Sequence, residues 1–396
     1  MRAKIKDYLL KRIIDQANGS LNIFCNSGDN KYSDDIDDWF VTKHGVKLPI
    51  FKNYRYSVKK GWLGYNALNI LYELNAKKIL SASSAQFLKE IAGHRTLTKP
   101  LLEADELLKS LIPEIENRFI PLSLNGRYRI ALKPSAGEIK KRIQIHAKAH
   151  KNLFNKLKAF NLYQSSGKEE ILEIGYITGG YSLFAFEELG FNVTGIDSFY
   201  SGMNEKTCIH QYISESINSK INFRLGDITK HTEFATESFD IVYTASVLEH
   251  IRDIETALAE MYRILKPGGV IIHNYNPFFC PNGGHALGVL DSPWAHVRLD
   301  LDDYNRYILE SRPYEKEMAK EWINNALNTK LSKSFMHQCL INTQFEILYF
   351  QMTPPTNPNR IAGLSSEVLK DCFRNFPEIT IDDLISENIL VIAQKK

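Results

Sequence analysis

The stretch ILEIGYITGGYSLFAFEELGFNVTGID, from Ile171 to Asp197, decides the fold of this chain. A short apolar run ends at Gly175, a glycine pair follows at Gly179 and Gly180, and a second apolar run stops at the aspartate. Between the two runs, YSLFAFEELG has helical spacing and a closing glycine. This order of strand, glycine turn, helix and strand predicts the first unit of a parallel sheet with a ligand beside the turn.

The same alternation continues from Lys168 towards the end of the chain. KINFRLGD around Phe223 and FDIVYTAS around Val242 predict two more strands, IETALAEMYRILKPGG predicts a helix that its PGG ends, and VIIHNYN predicts a fifth strand. A helix from Glu315 to about Gln344 precedes the last two predicted strands, FEILYF and ENILVIAQKK. Parallel neighbours need crossover connections over a face of the sheet, so we expect an α/β fold with helices on both faces.

The first part of the chain lacks this alternation. LGYNALNILYELNA and LLEADELLKSLIPEIENRF predict helices, and IPLSLNGRYRIAL predicts a hairpin that turns at its Asn-Gly pair. SAGEIKKRIQIHAKAHKNLFNKLKAF begins with a serine cap and predicts an amphipathic helix, and we expect its His146 and His150 on a solvated basic face. These patterns predict a mainly helical α+β accessory domain over 1–134 and a second domain over 135–396.

A long irregular segment follows the fifth predicted strand. It reads PFFCPNGGHALGVLDSPWAHVRLDLDDYNRYILESRPYE and is rich in Gly, Pro, His, Trp and Asp. A segment of this length after the carboxyl end of a strand is more often a functional lid than a connector. We therefore expect residues 277–315 to form a substrate lid.

Composition and charge exclude several classes of protein. The chain has 396 residues, and 49 basic against 46 acidic residues leave a net charge of +3, too balanced to indicate nucleic-acid binding by charge. The amino terminus mixes charges with apolar residues, unlike a signal peptide, and no segment approaches the roughly 20 apolar residues of a membrane span. The five cysteines are far apart, which argues against a disulfide framework and a thiolate zinc site. A cytoplasmic protein is expected.

The carboxylates around the glycine turn indicate the kind of ligand. Asp197 stands about 20 residues after the turn, where an acidic side chain can accept hydrogen bonds from a ribose diol. The spacing Gly-x-x-x-Gly-Gly differs from the dinucleotide pattern Gly-x-Gly-x-x-Gly, and Glu173 would repel a pyrophosphate. The sequence therefore predicts a cationic ligand that contains adenosine.

These residues resemble motif I of the class I S-adenosylmethionine-dependent methyltransferases, in which an acidic residue precedes Gly-x-Gly-x-Gly. Glu173, Gly175 and Gly179 match, while Ile177 replaces the middle glycine. The resemblance continues through Asp197, LGD, FDIVYTASVLEHI and LKPGG. It implies a Rossmann-like seven-stranded mostly parallel sheet and S-adenosylmethionine as cofactor.

The resemblance also implies roles at the ends of the strands. Asp197 would bind the ribose, and Asp227 with Ile228 would hold the adenine. The cofactor-binding residues that the resemblance implies are Glu173, Gly175, Tyr176, Gly179, Asp197, Ser198, Asp227, Ile228, Ala245 and Ser246. The last two would face the methionine part.

Methyl transfer to a hydroxyl group needs a base that removes the hydroxyl proton, and histidine suits that task near neutral pH. His250 follows the fourth predicted strand, and His285 and His296 lie in the insertion, so these three are the candidate bases. The alternative is a divalent ion held by His285, Asp291, His296, Asp300, Asp302 and Asp303. Their spacing matches no compact metal motif, and we expect no metal.

Three hypotheses for the function follow. The first is O-methylation of a polar hydroxylated small molecule or sugar, since Trp294, Tyr304, Tyr307 and Arg298 in the insertion are groups that stack on sugar rings or clasp acidic ones. The second is N-methylation of RNA or protein, although TASVLEH stands where such enzymes carry Asn/Asp-Pro-Pro-Tyr/Phe. The third is a cofactor-binding protein without methyl transfer, which the isoleucine in motif I supports. We expect a small-molecule or carbohydrate acceptor rather than nucleic acid.

Overall fold

The chain forms two compact units in the computed structural model. The sheet unit takes Leu108–Tyr275, Ser334–Gln351 and Ile389–Lys396, and the accessory unit takes Met1–Leu107, Asn276–Lys333 and Met352–Asn388. The residues that the structure describes are 36–51, 71, 74–76, 78–86, 106–108, 110–111, 119–121, 130–176, 181–198, 209–281, 283, 293–311, 330–356, 358 and 361–396.

Strands and helices alternate through most of the sheet unit. The described strands are β1 (Ile36–Val41), β2 (Lys47–Phe51), β3 (Phe119–Pro121), β4 (Ile130–Leu132), β5 (Glu170–Ile174), β6 (Asn192–Asp197), β7 (Asn222–Leu225), β8 (Phe239–Ala245), β9 (Leu265–Tyr275), β10 (Phe345–Thr353) and β11 (Asn388–Lys395). The described α-helices are α1 (Ala136–Ala159), α2 (Tyr181–Glu188), α3 (Ile209–Ile217), α4 (Ile254–Ile264), α5 (Ala295–Arg298), α6 (Leu301–Ser311), α7 (Lys333–Asn342), α8 (Ser366–Asn375) and α9 (Ile381–Ile385).

A seven-stranded sheet has the order β10-β11-β9-β8-β5-β6-β7. Strand β5 pairs in parallel with β6 and β8, β6 pairs in parallel with β7, and β8 pairs in parallel with β9, while β11 runs antiparallel to β9. The predicted Rossmann-like, mostly parallel seven-stranded fold is thus confirmed. The chain leaves β5 towards β6 on one side and returns to β8 on the other, so the order reverses at β5. Open α/β sheets bind ligands beside such a reversal.

Helix α1 begins where the sequence predicts. The Ser135 hydroxyl accepts from the main-chain nitrogen of Glu138, whose carboxylate in turn accepts from the main chain of Ser135. This capping box satisfies main-chain donors that a helix start otherwise leaves without partners.

The expectation that His150 lies on a solvated face of α1 is wrong. His150 is 4% exposed, and its ring stacks on Phe186 with the centroids 3.8 Å apart. It continues the buried stripe of α1, whose other members include Ile139, Ile143 and Ala147. This spacing of three and four residues keeps one face of a helix on the core, and the lysines occupy the other face. His146 is exposed, as expected.

Helix α4 ends earlier than predicted. It stops at Ile264, and LKPGG already belongs to β9, where Leu265 pairs with Phe239. Gly268 has φ of +77°, a conformation that favours glycine, and it shapes the start of the strand.

Some of the remaining predicted elements are present in the described residues, and others lie outside them. FEILYF and ENILVIAQKK form β10 and β11, as predicted. The predicted hairpin is present as the antiparallel pair of β3 and β4, with its turn outside the described residues. Most of the two predicted amino-terminal helices and residues 312–329 of the predicted helix also lie outside them. The domain boundary near 134 stays a prediction.

The accessory unit joins the β1–β2 hairpin to helix α6. Phe40 meets Tyr307 edge to face at 5.2 Å, and the Tyr307 hydroxyl donates to the Pro49 carbonyl at 3.0 Å. Arg306 donates from Nη2 to the Val41 carbonyl at 2.6 Å and covers the Phe40 ring. Residues 293–311 of the predicted lid therefore belong to a packed core within this unit.

No helix in the described part of the chain combines the length and apolar character that crossing a membrane requires.

Candidate active site

Four parallel strands of the sheet unit end at one edge, and the residues after them carry the predicted site. The Gly226 nitrogen donates to the Asp197 carbonyl at 3.0 Å, which joins the end of β6 to the turn after β7. The Ser246 nitrogen donates to the Asn274 carbonyl at 2.7 Å, which joins the turn after β8 to β9. Ser246 has φ of +55°, and both it and Ala245 are exposed. The turn after β8 thus exposes main chain and small side chains at this edge.

Gly175 begins the turn after β5 in a conformation that favours glycine. Its φ is +79°, and a Cβ atom there would lie 2.4 Å from Cγ2 of Val247. The Gly175 nitrogen donates to the Ile196 carbonyl at 2.9 Å. Val247 directly follows Ser246, so the turn after β5 touches the turn after β8, and the glycine permits that approach.

Tyr176, the next residue, points its side chain into the core. It is 2% exposed, and a Cβ atom on Gly195 would lie 2.9 Å from its ring. Its hydroxyl donates to the Arg224 carbonyl at 3.4 Å, while its own carbonyl accepts from Nε2 of His210 at 2.7 Å. A cofactor contact from Tyr176 stays a prediction, and its main chain would have to make it.

The two acidic residues at the ends of β6 and β7 have different surroundings. Asp197 is 7% exposed. Asp227 is partly exposed, and its Oδ1 accepts from the main-chain nitrogen and the hydroxyl of Thr229 at 2.9 Å and 2.7 Å. Lys230 lies 3.7 Å from Oδ2. An adenine amine that reaches Asp227 would compete with this lysine. Beside it, Ile228 is buried, whereas Ser198 is exposed.

Glu173 lies on β5, two residues before the turn, and is 4% exposed. Burial raises the pKa of its carboxyl group to about 8, and a hydrogen bond from Ser182 on α2 acts in the opposite direction. Ser182 also lies 3.0 Å from Nε2 of His150. The predicted acidic residue of the motif is therefore in a polar cluster inside the sheet unit.

The candidate bases differ in exposure and hydrogen bonding. His250 is half-buried at the end of a 3-10 helix, Leu248–His250, directly after β8. His296, in the accessory unit, is buried, and its Nε2 lies 2.6 Å from the Phe278 carbonyl. A carbonyl only accepts, so that nitrogen carries a hydrogen, and a base role for His296 would have to use Nδ1. Ile177, Gly179 and His285 lie outside the described residues.

The side chains that suggested a sugar in the insertion are buried within the accessory unit. Trp294, Tyr304, Tyr307 and Arg298 are between 1% and 8% exposed. The indole of Trp294 donates to the Leu384 carbonyl at 2.9 Å, and Arg298 forms an ion pair with Asp371 at 2.9 Å. The expectation that these groups clasp a sugar is wrong, because they hold the unit together instead.

Within the described ranges, no group of three or more His, Cys, Asp and Glu side chains is placed to hold a metal ion. Asp300, one of the residues considered as a ligand, accepts from the Asp303 main-chain nitrogen at 2.8 Å and pairs with Lys43 at 3.4 Å. These contacts cap α6 and hold the carboxylate at the surface.

Several residues that shape the edge carry no motif. Ser182 and His210 contact Glu173 and Tyr176 of motif I, and His150, which precedes the motif by more than 20 residues, contacts Ser182. The spacing of apolar positions along α1 was the available signal for His150. No sequence pattern predicts the contact of His210 with Tyr176, because the two residues lie in different connections between strands.

Comparison with known proteins finds matches to the part of the chain that contains these strands. Residues 172–273, from β5 to β9, match a family model described as a methyltransferase domain. The chain is 32% identical over 100 residues to the mitochondrial ubiquinone biosynthesis O-methyltransferase of Homo sapiens, covering 25% of this chain and 27% of that protein. It is 28% identical over 151 residues to the ubiquinone biosynthesis O-methyltransferase of Rickettsia akari, covering 37% and 56%. It is 29% identical over 104 residues to phosphoethanolamine N-methyltransferase 2 of Caenorhabditis elegans, covering 26% and 23%. The chain thus spans less than two thirds of the length of each of these relatives.

Proposed function

We propose that this chain, which belongs to the class I S-adenosylmethionine-dependent methyltransferase family, transfers the methyl group of S-adenosylmethionine to a hydroxyl group of a polar small molecule or sugar. The observation that carries the proposal is the shared edge at which β5, β6, β7 and β8 end, beside the reversal of strand order at β5. Gly175 of the family motif lies at this edge, and Glu173 stands two residues before it on β5.

The cofactor would lie across the ends of these strands. In this proposal Asp197 accepts hydrogen bonds from the ribose, and Asp227 with Ile228 holds the adenine. Ala245 and Ser246 face the methionine part, where their small exposed side chains leave room. Gly175 lets the main chain of the turn come close to the ligand.

The chemistry needs alignment and one proton transfer. When bound, the cofactor would supply a methyl group on a positively charged sulfur, and its transfer to the acceptor oxygen would leave a neutral thioether. The hydroxyl proton would pass to a base, for which we propose His250, because it ends the 3-10 helix that comes after β8 in the sheet unit and is half-buried rather than enclosed. The sulfonium supplies its own activation, so the protein mainly positions the two reactants.

The names of the relatives support transfer to either oxygen or nitrogen, because two are O-methyltransferases and one is an N-methyltransferase. We favour oxygen because TASVLEH replaces the signature of amino methylation after β8. N-methylation of RNA or protein, and cofactor binding without transfer, are the alternatives.

Calorimetry with S-adenosylmethionine and S-adenosylhomocysteine tests cofactor binding first. Methyl transfer from the labelled cofactor is then measured with a panel of phenols, sugars, nucleotide sugars, a basic peptide and RNA. We expect binding of both cofactor forms and transfer to a hydroxylated small molecule. Label on peptide or RNA alone would favour the second hypothesis, and binding without transfer to any member of the panel would favour the third.

We also propose the cytoplasm as the compartment of this protein. Cys339 and Cys372 are buried, and burial raises the pKa of each thiol to about 12. Both thiols therefore stay protonated and unreactive, as structural cysteines do in a reducing compartment.

A further inference from the structure

The carboxyl group of Glu173 faces polar groups from three other elements of the sheet unit. Ser182 on α2 hydrogen-bonds it, and His150 on α1 lies 3.0 Å from the same serine hydroxyl. Tyr243 on β8 is the register partner of Glu173 and is also hydrogen-bonded to Ser182. On its other side, β6 offers only Gly195. All four polar side chains are more than nine-tenths buried.

None of these neighbours supplies a positive charge to Glu173. Burial, with the charge of His146 acting in the same direction, lowers the pKa of His150 to about 4, so the ring is neutral near pH 7. Burial and the charge of Glu173 raise the pKa of Tyr243, so its hydroxyl is neutral as well. Within the described residues, one oxygen of Glu173, Oε2, has no hydrogen-bond partner. An ionised carboxylate in this place would be buried without a counter-charge, which proteins avoid by keeping the acid protonated.

We propose that Glu173 carries a proton in the cofactor-free protein and releases it when the positively charged cofactor binds, and that Ser182 sets the pH at which binding becomes strongest. The inference rests on the proposed function, because the cofactor supplies the positive charge. Glu173 stands on the strand that leads directly into the glycine turn at the reversal of strand order. A ligand cation at that turn is the counter-charge that the cluster lacks.

The direction of the pH effect follows from the two states of the carboxyl group. A positive charge within about 4 to 6 Å lowers the pKa of a carboxyl group by about 1 to 3, so Glu173 would be ionised in the complex near neutral pH. Below about pH 8, binding then expels a proton, and the dissociation constant falls as the pH rises. Above that pH the carboxylate is already charged, and the dependence on pH ends.

Calorimetry in two buffers of different ionisation enthalpy counts the protons exchanged on binding. For the wild-type chain with S-adenosylmethionine at pH 7, we expect release of about half a proton or more per site, and an affinity that increases about tenfold or more from pH 6 to pH 8. Glu173→Gln should release none from this group and should lose most affinity at the higher pH. Glu188→Gln, the same change on an exposed position of α2, is the matched control and should behave as the wild type.

Ser182→Ala tests the role of the serine. Its hydrogen bond lowers the pKa of Glu173, so its loss should move the end of the pH dependence above about pH 8. Ser216→Ala removes an exposed hydroxyl from α3 and should leave the profile unchanged. A merely structural role for Ser182 would change stability without moving this profile.

The outcomes separate the inference from the proposed function. If the wild-type chain does not bind S-adenosylmethionine, the proposed function fails. If it binds without exchange of protons and with flat affinity between pH 6 and pH 8, only the inference fails. Proton release that persists in Glu173→Gln would assign the proton to another group and overturn the inference. The wild-type measurements decide the matter even if a variant does not fold.

Discussion

His210 donates a hydrogen bond from Nε2 to the main-chain carbonyl of Tyr176, and the two atoms lie 2.7 Å apart. The two rings also meet edge to face, with their centroids 4.8 Å apart. Tyr176 directly follows Gly175, and His210 stands at the start of α3, so this contact ties α3 to the turn after β5. The turn in which we expect the cofactor is therefore fixed by a residue outside its own crossover.

Replacing His210 by phenylalanine should destabilise the sheet unit and weaken binding of S-adenosylhomocysteine. The variant keeps an aromatic ring but removes a donor from a buried carbonyl, which costs about 1 to 3 kcal/mol. Urea unfolding and calorimetry measure the two effects. His210→Gln can restore a donor and should recover part of both losses. Wild-type affinity in the phenylalanine variant would show that the bond stabilises the fold without shaping the cofactor turn.

Gly175→Ala should be more harmful than Gly268→Ala, although both glycines have φ near +78°. A Cβ atom at Gly268 meets nothing within 4 Å, so only the backbone cost of roughly 1 kcal/mol applies there. At Gly175 the new atom also collides with Val247. We expect Val247→Ala to recover part of the loss in the double variant. Equal unfolding free energies for the two single variants would contradict the close contact between the turns.

The sequence predicts the sheet because its local patterns and its topology agree. Each apolar run before Gly175, Asp197 and Asp227 is short, and the first two are followed along the chain by helices, α2 and α3. Right-handed crossovers then leave few ways to order the strands. The end of α4 was predicted wrongly because a pair such as Gly268 and Gly269 can lie within a strand as well as after a helix. Only the pairing of Leu265 with Phe239 decides between the two.

The site was harder to predict wherever long-range packing decides the role of a side chain. Trp294 and Arg298 have the chemistry to bind a sugar. Their partners, Leu384 in α9 and Asp371 in α8, lie more than 70 residues later in the chain. Ser182 follows the glycine pair closely, yet its contact with His150 requires knowledge of how α1 packs on α2. Such contacts join elements that no local pattern relates.

Asp197→Ala should weaken cofactor binding by about 1.5 to 3 kcal/mol, the range for hydrogen bonds that involve a charged group. Asp197→Asn, which keeps the shape, should lose less than the alanine variant if one ribose hydroxyl can still donate to the amide oxygen. Calorimetry with S-adenosylhomocysteine measures both. Asp227→Asn is the comparison at the neighbouring strand, where Thr229 already occupies Oδ1. Unchanged affinity in Asp197→Ala would remove the ribose assignment.

The sheet unit should lose stability as the pH falls below about 6.5. Burial lowers the pKa of His150 and His210 to about 4 and of His273 to about 3, so they stay neutral in the folded chain while the unfolded chain takes up protons. Each such histidine lowers the free energy of unfolding by about 1.4 kcal/mol for every pH unit that the pH falls in this range. Glu173 acts in the opposite direction, because its raised pKa lets the folded chain bind a proton between about pH 8 and pH 4.5. The net fall in unfolding free energy per pH unit should thus equal the effect of about two histidines.

Urea unfolding at pH 7 and pH 5 measures this loss. His150→Phe removes one of the titrating groups and should reduce the dependence on pH, whereas Glu173→Gln should make it steeper. His231→Gln changes an exposed histidine and serves as the control. Equal stability of the wild type at both pH values would show that the buried histidines titrate as they do in the unfolded chain.

Alanine variants of the candidate bases should differ in turnover and in unfolding free energy. His250→Ala should lower turnover by about 100-fold or more, the usual contribution of a general base, while S-adenosylhomocysteine binds as before. The rising limb of the pH profile, which reports loss of the proton from the base, should disappear. His296→Ala removes the donor to the buried Phe278 carbonyl and should lower the unfolding free energy by about 1 to 3 kcal/mol. Its pH profile should keep the same limb.

The double variant His285→Ala/His296→Ala decides between His250 and the insertion. Turnover is measured with the hydroxylated acceptor that the panel identifies, and circular dichroism checks that each variant is folded. If His250→Ala keeps full turnover while the folded double variant loses it, the base lies in the insertion. If the double variant instead loses binding of S-adenosylhomocysteine, residues 277–315 serve the cofactor rather than the acceptor. If His250 is the base, the folded double variant should still turn over, and its pH profile should keep the limb that His250→Ala loses.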